Sequence, residues 1–100
     1  MKKTTTIELN AIFGDSRVFV LNRPLKAKVI RIARWNHLRW TMDCDEFHIY
    51  AAANDGFKVM VAFNEDFEAT YEGLVETKEP LDPVARETAD ALKLLVKEVD

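Results

Sequence analysis

The strongest pattern in the chain is a set of apolar residues that recur at steps of three and four between positions 57 and 75. Such steps place side chains along one face of an α-helix, so the pattern predicts an amphipathic helix over about residues 57–78. Because a helix cannot cover its own apolar face, the rest of the chain must supply a surface for it to pack on. The face consists of Phe57, Met60, Phe63, Phe67, Tyr71, Leu74 and Val75.

Residues 57–63 also fit a β-strand, because an apolar residue stands at every second position and Asn54-Asp55-Gly56 can form a hairpin turn. The same Asn54 and Asp55 can cap a helix by accepting hydrogen bonds from its first free amides. We favour the helix, since the apolar face continues without a break into Phe67.

Alternation of apolar and polar residues predicts strands in the first half of the chain. Residues 25–36 fit either a helix or a strand, and we favour a strand because the strongly alternating residues 38–44 need a neighbour. Asp82 and Pro83 start a second helix, predicted over about residues 83–99. The predicted class is α+β, with an antiparallel sheet of four to five strands packed against both helices. Besides 25–36, the predicted strands are 4–13, 18–21, 38–44 and 47–51.

Composition limits the kind of protein further. A chain of 100 residues with 48% hydrophobic and 31% charged residues is expected to fold as one domain, 1–100, alone or as a small homo-oligomer. No apolar run has the length of a membrane span or follows the pattern of a signal peptide, so we expect no membrane contact. The single Cys44 permits no internal disulfide, which favours the cytoplasm.

Charge divides the chain into two halves of opposite sign. Residues 1–39 hold nine cations and two acidic residues, a net charge of +7, whereas residues 40–100 hold five cations and fifteen acidic residues, a net charge of −10. Such a division can mark separate binding surfaces, or two halves that attract each other within the fold.

Four glutamates recur at helical steps along another side of the 57–78 helix, without a lysine among them to relieve their repulsion. This acidic row can meet a basic partner protein. The leading hypothesis is therefore a small non-catalytic binding or regulatory module that acts through protein–protein contact. The acidic row consists of Glu65, Glu68, Glu72 and Glu76.

An alternative hypothesis assigns binding to the basic segment 23–39. Its cations can neutralise phosphates, while Trp35 and Trp40 can stack on unpaired bases. This pattern would make the chain a nucleic-acid-binding module. The cations concerned are Lys28, Arg31, Arg34 and Arg39.

Reactive side chains are few. Cys44 with His48 or His37 could form a nucleophile and base, but Cys44 continues the apolar side of strand 38–44, which predicts a buried structural cysteine. Asp43, Asp45, Glu46 and His48 could bind a divalent cation, although their spacing matches no known metal loop. No catalytic motif is present. We therefore expect no enzyme activity, cofactor or metal.

Strand Leu38–Cys44, the acidic turn Asp43–Glu46, strand Phe47–Ala51 and the helix that follows resemble the N-terminal domain of HicB-like antitoxins. The resemblance covers about residues 26–76. It implies a partial RNase H-like β-β-β-α unit and the binding of a partner protein without catalysis. The segment after Pro83 has room for one helix, which is too short for the DNA-binding unit that many members carry.

Overall fold

Five antiparallel strands and two helices form the fold in the computed structural model, which describes residues 1–100. This confirms the predicted α+β class with an antiparallel sheet and two helices. The elements are β1 (Lys2–Phe13), β2 (Val18–Arg34), β3 (His37–Cys44), β4 (Ile49–Ala53), α1 (Gly56–Leu74), α2 (Pro83–Leu95) and β5 (Val96–Val99).

The long strand β2 organises the sheet. Strands β1, β2, β3 and β4 are neighbours in that order, and β5 also pairs with β2. On the side of β2 away from β1, β5 pairs with residues 19–21 and β3 pairs with residues 28–34. The pairing of β1 with β2 shifts between Leu9 and Ala11, opposite the segment that contains Pro24. Because proline cannot donate a hydrogen bond to the ladder, this segment forms a bulge, and the strands predicted over 18–21 and 25–36 are joined in the single strand β2.

Helix α1 confirms the helical interpretation of residues 57–63 and the predicted start, and it corrects the predicted end. Asp55 caps the helix by accepting a hydrogen bond from Lys58 N at 3.0 Å. The helix ends at Leu74, before the predicted position 78. Phe57 is 78% exposed while Val59 is only 2% exposed, so the buried face begins at Val59.

The prediction of one C-terminal helix over 83–99 was wrong in its last turn. Asp82 caps α2 by accepting a hydrogen bond from Ala85 N at 2.8 Å, as the sequence indicates. The helix stops at Leu95, and residues 96–99 form β5 beside Phe19. Val96 and Val99 are β-branched, and pairing here satisfies the backbone of β2 where β3 does not reach.

One cluster of 16 buried residues lies between the helices and one face of the sheet. Phe19 of β2 and Phe67 of α1 pack edge to face with ring centroids 5.4 Å apart. We call this side of the sheet the helix face and the opposite side the open face. Neither helix is both long and apolar enough to cross a membrane.

The alternation of β3 was predicted correctly, whereas the next strand was displaced. Met42 and Cys44 are buried on the helix face, while Arg39 lies on the open face. The strand predicted over 47–51 begins at Ile49 in the structure, two residues later than predicted, because a short 3-10 turn occupies Asp45–Phe47.

Candidate functional site

Three of the four glutamates of the acidic row form salt bridges with one arginine from the β1–β2 turn, although Glu76 lies just beyond the end of α1. The Arg17 guanidinium donates to Glu68 at 3.4 Å, to Glu72 at 3.1 Å and to Glu76 at 2.7 Å. These contacts, the hydrogen bond with Glu76 foremost, raise the pKa of Arg17 and lower the pKa of Glu76. Glu65, the remaining member of the row, is exposed and has no such partner.

Glu68 was expected on the solvent side of the helix, and the structure corrects that expectation. The residue is only 7% exposed and accepts a hydrogen bond from Asp15 N at 2.8 Å. A Cβ on Gly14 would lie 2.7 Å from its carboxylate, so the glycine permits the turn to approach this closely. Glu68 therefore anchors the β1–β2 turn on α1.

The structure does not join Cys44 to a histidine. Burial raises the pKa of the Cys44 thiol, which opposes formation of the reactive thiolate. His37 lies seven residues away at the other end of β3, a separation of about 23 Å along a strand. His48 is exposed, and neither its side chain nor that of Cys44 takes part in any hydrogen bond between side chains.

The acidic turn does not assemble a metal site. Asp43, Asp45, Glu46 and His48 do not meet in a group that could hold a metal ion. Glu46 is instead paired with Arg23 at 2.8 Å. This turn borders the largest surface groove, about 570 Å³, which mixes charges of both signs. Its charged residues are three cations, Arg23, Lys26 and Lys28, and four acids, Glu8, Asp43, Asp45 and Glu46.

The neighbouring end of the sheet carries mostly positive charge, and Lys28, which also lines that groove opposite Asp43, lies at its border. We define the basic arm as residues 2–6 of β1 together with residues 28–41, which are the end of β2, the turn and most of β3. These ranges contain six lysines and arginines, His37, and no aspartate or glutamate. All four salt bridges of the protein use Arg17 or Arg23, so the arm cations have no ionic partner. The six are Lys2, Lys3, Lys28, Arg31, Arg34 and Arg39.

The strand register divides the predicted nucleic-acid residues between two faces. Lys28, Arg34 and Arg39 lie on the open face, whereas Arg31 lies on the helix face opposite Trp40. The sequence interpretation missed Lys2 and Lys3, which β1 brings beside Ile32 and Arg31. The signal that could have found them was the antiparallel pairing of the first strand with residues 25–36.

A groove of about 350 Å³ opens on the helix face of the basic arm. Lys3 stands opposite Arg31 on the neighbouring strand, and the Arg31 guanidinium lies 5.9 Å from the centre of the Trp40 ring. Like charges directly opposite each other destabilise a sheet, so an anion in this groove would relieve a real repulsion. Helix α1 leaves the groove open because it begins at Gly56, beside Trp40. The lining residues are Lys3, Thr5, Val29, Arg31 and Trp40.

The two tryptophans have different environments. Trp40 is half-buried and packs against the core cluster, whereas Trp35 is fully exposed at the tip of the β2–β3 hairpin. Trp35 has a φ of 45°, in the left-handed region. Trp35 belongs to the two-residue turn between Arg34 and His37, the last paired residues of the hairpin, and its ring lies in solvent.

Comparison with known proteins identifies no relative. No family model matches the chain, and no curated protein or solved structure matches it. The HicB-like resemblance over residues 26–76 therefore stays a prediction, and the case for a function rests on the geometry of the chain's own residues.

Proposed function

We propose that this protein is a non-catalytic module that binds nucleic acid through its basic arm. The observation that carries the proposal is a set of six cations that form no salt bridge, five of which have no acidic residue opposite them in the sheet. A surface of this kind attracts a polyanion by neutralising its phosphates and releasing counterions.

The positive charge of the basic arm supports nucleic-acid binding, whereas the net charge of the whole chain does not. The whole chain carries −3, so nonspecific attraction to an anion is weak away from the arm. Within the arm, Lys3 and Arg31 face one side of the sheet, and Lys2 and Arg39 face the other. A phosphate backbone passing around the arm can therefore meet cations on both faces.

Neutralising three arm cations tests the proposal. A Lys3→Gln, Arg31→Gln, Arg39→Gln variant should bind a fluorescein-labelled oligothymidylate more weakly. The slope of log affinity against log salt should become shallower by roughly 0.7 for each lost contact to a single strand. Fluorescence anisotropy over a series of salt concentrations measures both quantities.

A matched control has the same change of charge away from the arm. Lys78→Gln, Arg86→Gln, Lys93→Gln alters three exposed cations outside the sheet. It should keep the affinity and the salt slope of the native chain. Equal losses in both variants would show that the net charge, and not the arm, governs binding.

A protein partner is a second candidate, supported by the exposed side of α1. Phe57 is 78% exposed and Val61 is 39% exposed, and Glu65 follows one turn later on the same side. This stripe, rather than the whole acidic row, is the surface that a partner with apolar and basic residues would contact. A Phe57→Ala variant that no longer binds a partner of the native chain, while Trp35→Ala still binds it, would favour this candidate.

A further inference from the structure

The turn at the tip of the basic arm contains a residue that its backbone disfavours. Trp35 and Asn36 form a two-residue connection between the paired residues Arg34 and His37. Only the first of the two has a positive φ, which is the pattern of a type II′ turn. Glycine is the residue that fits this position, because a side chain there meets the backbone.

No contact within the fold offsets the strain of a tryptophan at this position. The Trp35 side chain is fully exposed and does not contact the core cluster. A large apolar ring in water with a strained backbone stabilises neither the hairpin nor the core. The inference from such an outlier is that the side chain serves a bound ligand.

We propose that Trp35 stacks on an unpaired base, so that the basic arm prefers single-stranded nucleic acid to duplex. This inference rests on the proposed nucleic-acid binding. A fully exposed indole offers its face to a base, while Arg34 and Arg39 nearby on the open face can hold the adjacent phosphates. Bases within a duplex are already stacked on each other, so only a single strand offers a free base to the ring.

Replacing Trp35 with glycine separates stability from binding. Trp35→Gly should raise Tm by about 4 °C, because the turn loses its strained side chain. The same variant should bind oligothymidylate roughly 5- to 150-fold more weakly, the range found for loss of one stacked base. Trp35→Phe should recover much of the affinity, since phenylalanine also stacks.

An abasic oligomer of equal length provides the control ligand, because it has the phosphates without the bases. The native chain should bind it more weakly than oligothymidylate, and Trp35→Gly should leave its affinity unchanged. If Trp35→Gly weakens the binding of both oligomers equally, or of neither, Trp35 does not stack on a base. The basic arm would then remain the binding surface. If the native chain binds neither oligomer nor a duplex, the proposed function itself fails.

Fluorescence gives a direct readout of the ring. In a Trp40→Phe variant, Trp35 is the sole tryptophan. Oligothymidylate should quench its emission and the abasic oligomer should not. Unchanged emission at saturation would contradict stacking. A blue shift with anionic phospholipid vesicles and no response to oligothymidylate would assign the tip to a lipid surface instead.

Discussion

Glu68 and Glu72 carry the same side chain about one turn apart on α1, but their surroundings differ. Glu68 is buried against the β1–β2 turn and accepts hydrogen bonds from Asp15 N and from Arg17. Glu72 is exposed and meets Arg17 alone. The helical spacing predicts that these carboxylates share one side of α1. It cannot reveal the arginine that binds them, because Arg17 lies more than 50 positions away in sequence.

This difference predicts unequal costs of truncation. Glu68→Ala should lower the free energy of unfolding by about 1.5–3 kcal/mol, since the partly buried amide of Asp15 loses its charged acceptor. Glu72→Ala should cost less than about 1 kcal/mol, as an exposed ion pair does. Urea denaturation of both variants measures the two values. Equal small losses would mean that Glu68 is as exposed as the sequence suggested.

At the scale of elements, the apolar period of α1 identifies a helix but not where its contact with the sheet begins. Phe57 has the correct spacing, yet it precedes the part of the helix that lies over the core, and Val59 is buried instead. Likewise, Val96 and Val99 continue the helical spacing of α2, although they lie in β5. The pairing that decides this is with Phe19, a contact across the chain that local spacing cannot show.

Two phenylalanines of α1 test where the helix packs. Phe67→Ala should lower the free energy of unfolding by about 3–5 kcal/mol, because the ring is fully buried beside Phe19. Phe57→Ala should change it by less than about 0.5 kcal/mol, because that ring lies mostly in solvent. Thermal and urea unfolding provide both values. A larger loss at Phe57 than at Phe67 would contradict the position of the helix.

Across the whole molecule, the cations of the basic first half of the chain fall into two main groups. Arg17 and Arg23 pair with acidic residues of the second half, which is the internal attraction that the sequence allowed. The six cations of the basic arm gather at one end of the sheet without a salt bridge, whereas Lys26 lies opposite Glu8 in the mixed-charge groove. Local pattern predicted the α+β class and the basic segment. It did not predict that Lys2 and Lys3 belong to the same basic surface, because their position there depends on the register of β1 against β2.

The location of binding tests the central claim most directly. Titration of the isotopically labelled native chain with oligothymidylate, followed by backbone amide shifts, should perturb the residues of the basic arm. The largest changes are expected at Lys3, Arg31 and Trp35, while Glu65 on α1 and the residues of α2 keep their shifts. Saturable changes centred on α1, with the basic arm unperturbed, would contradict the claim that the arm is the nucleic-acid surface.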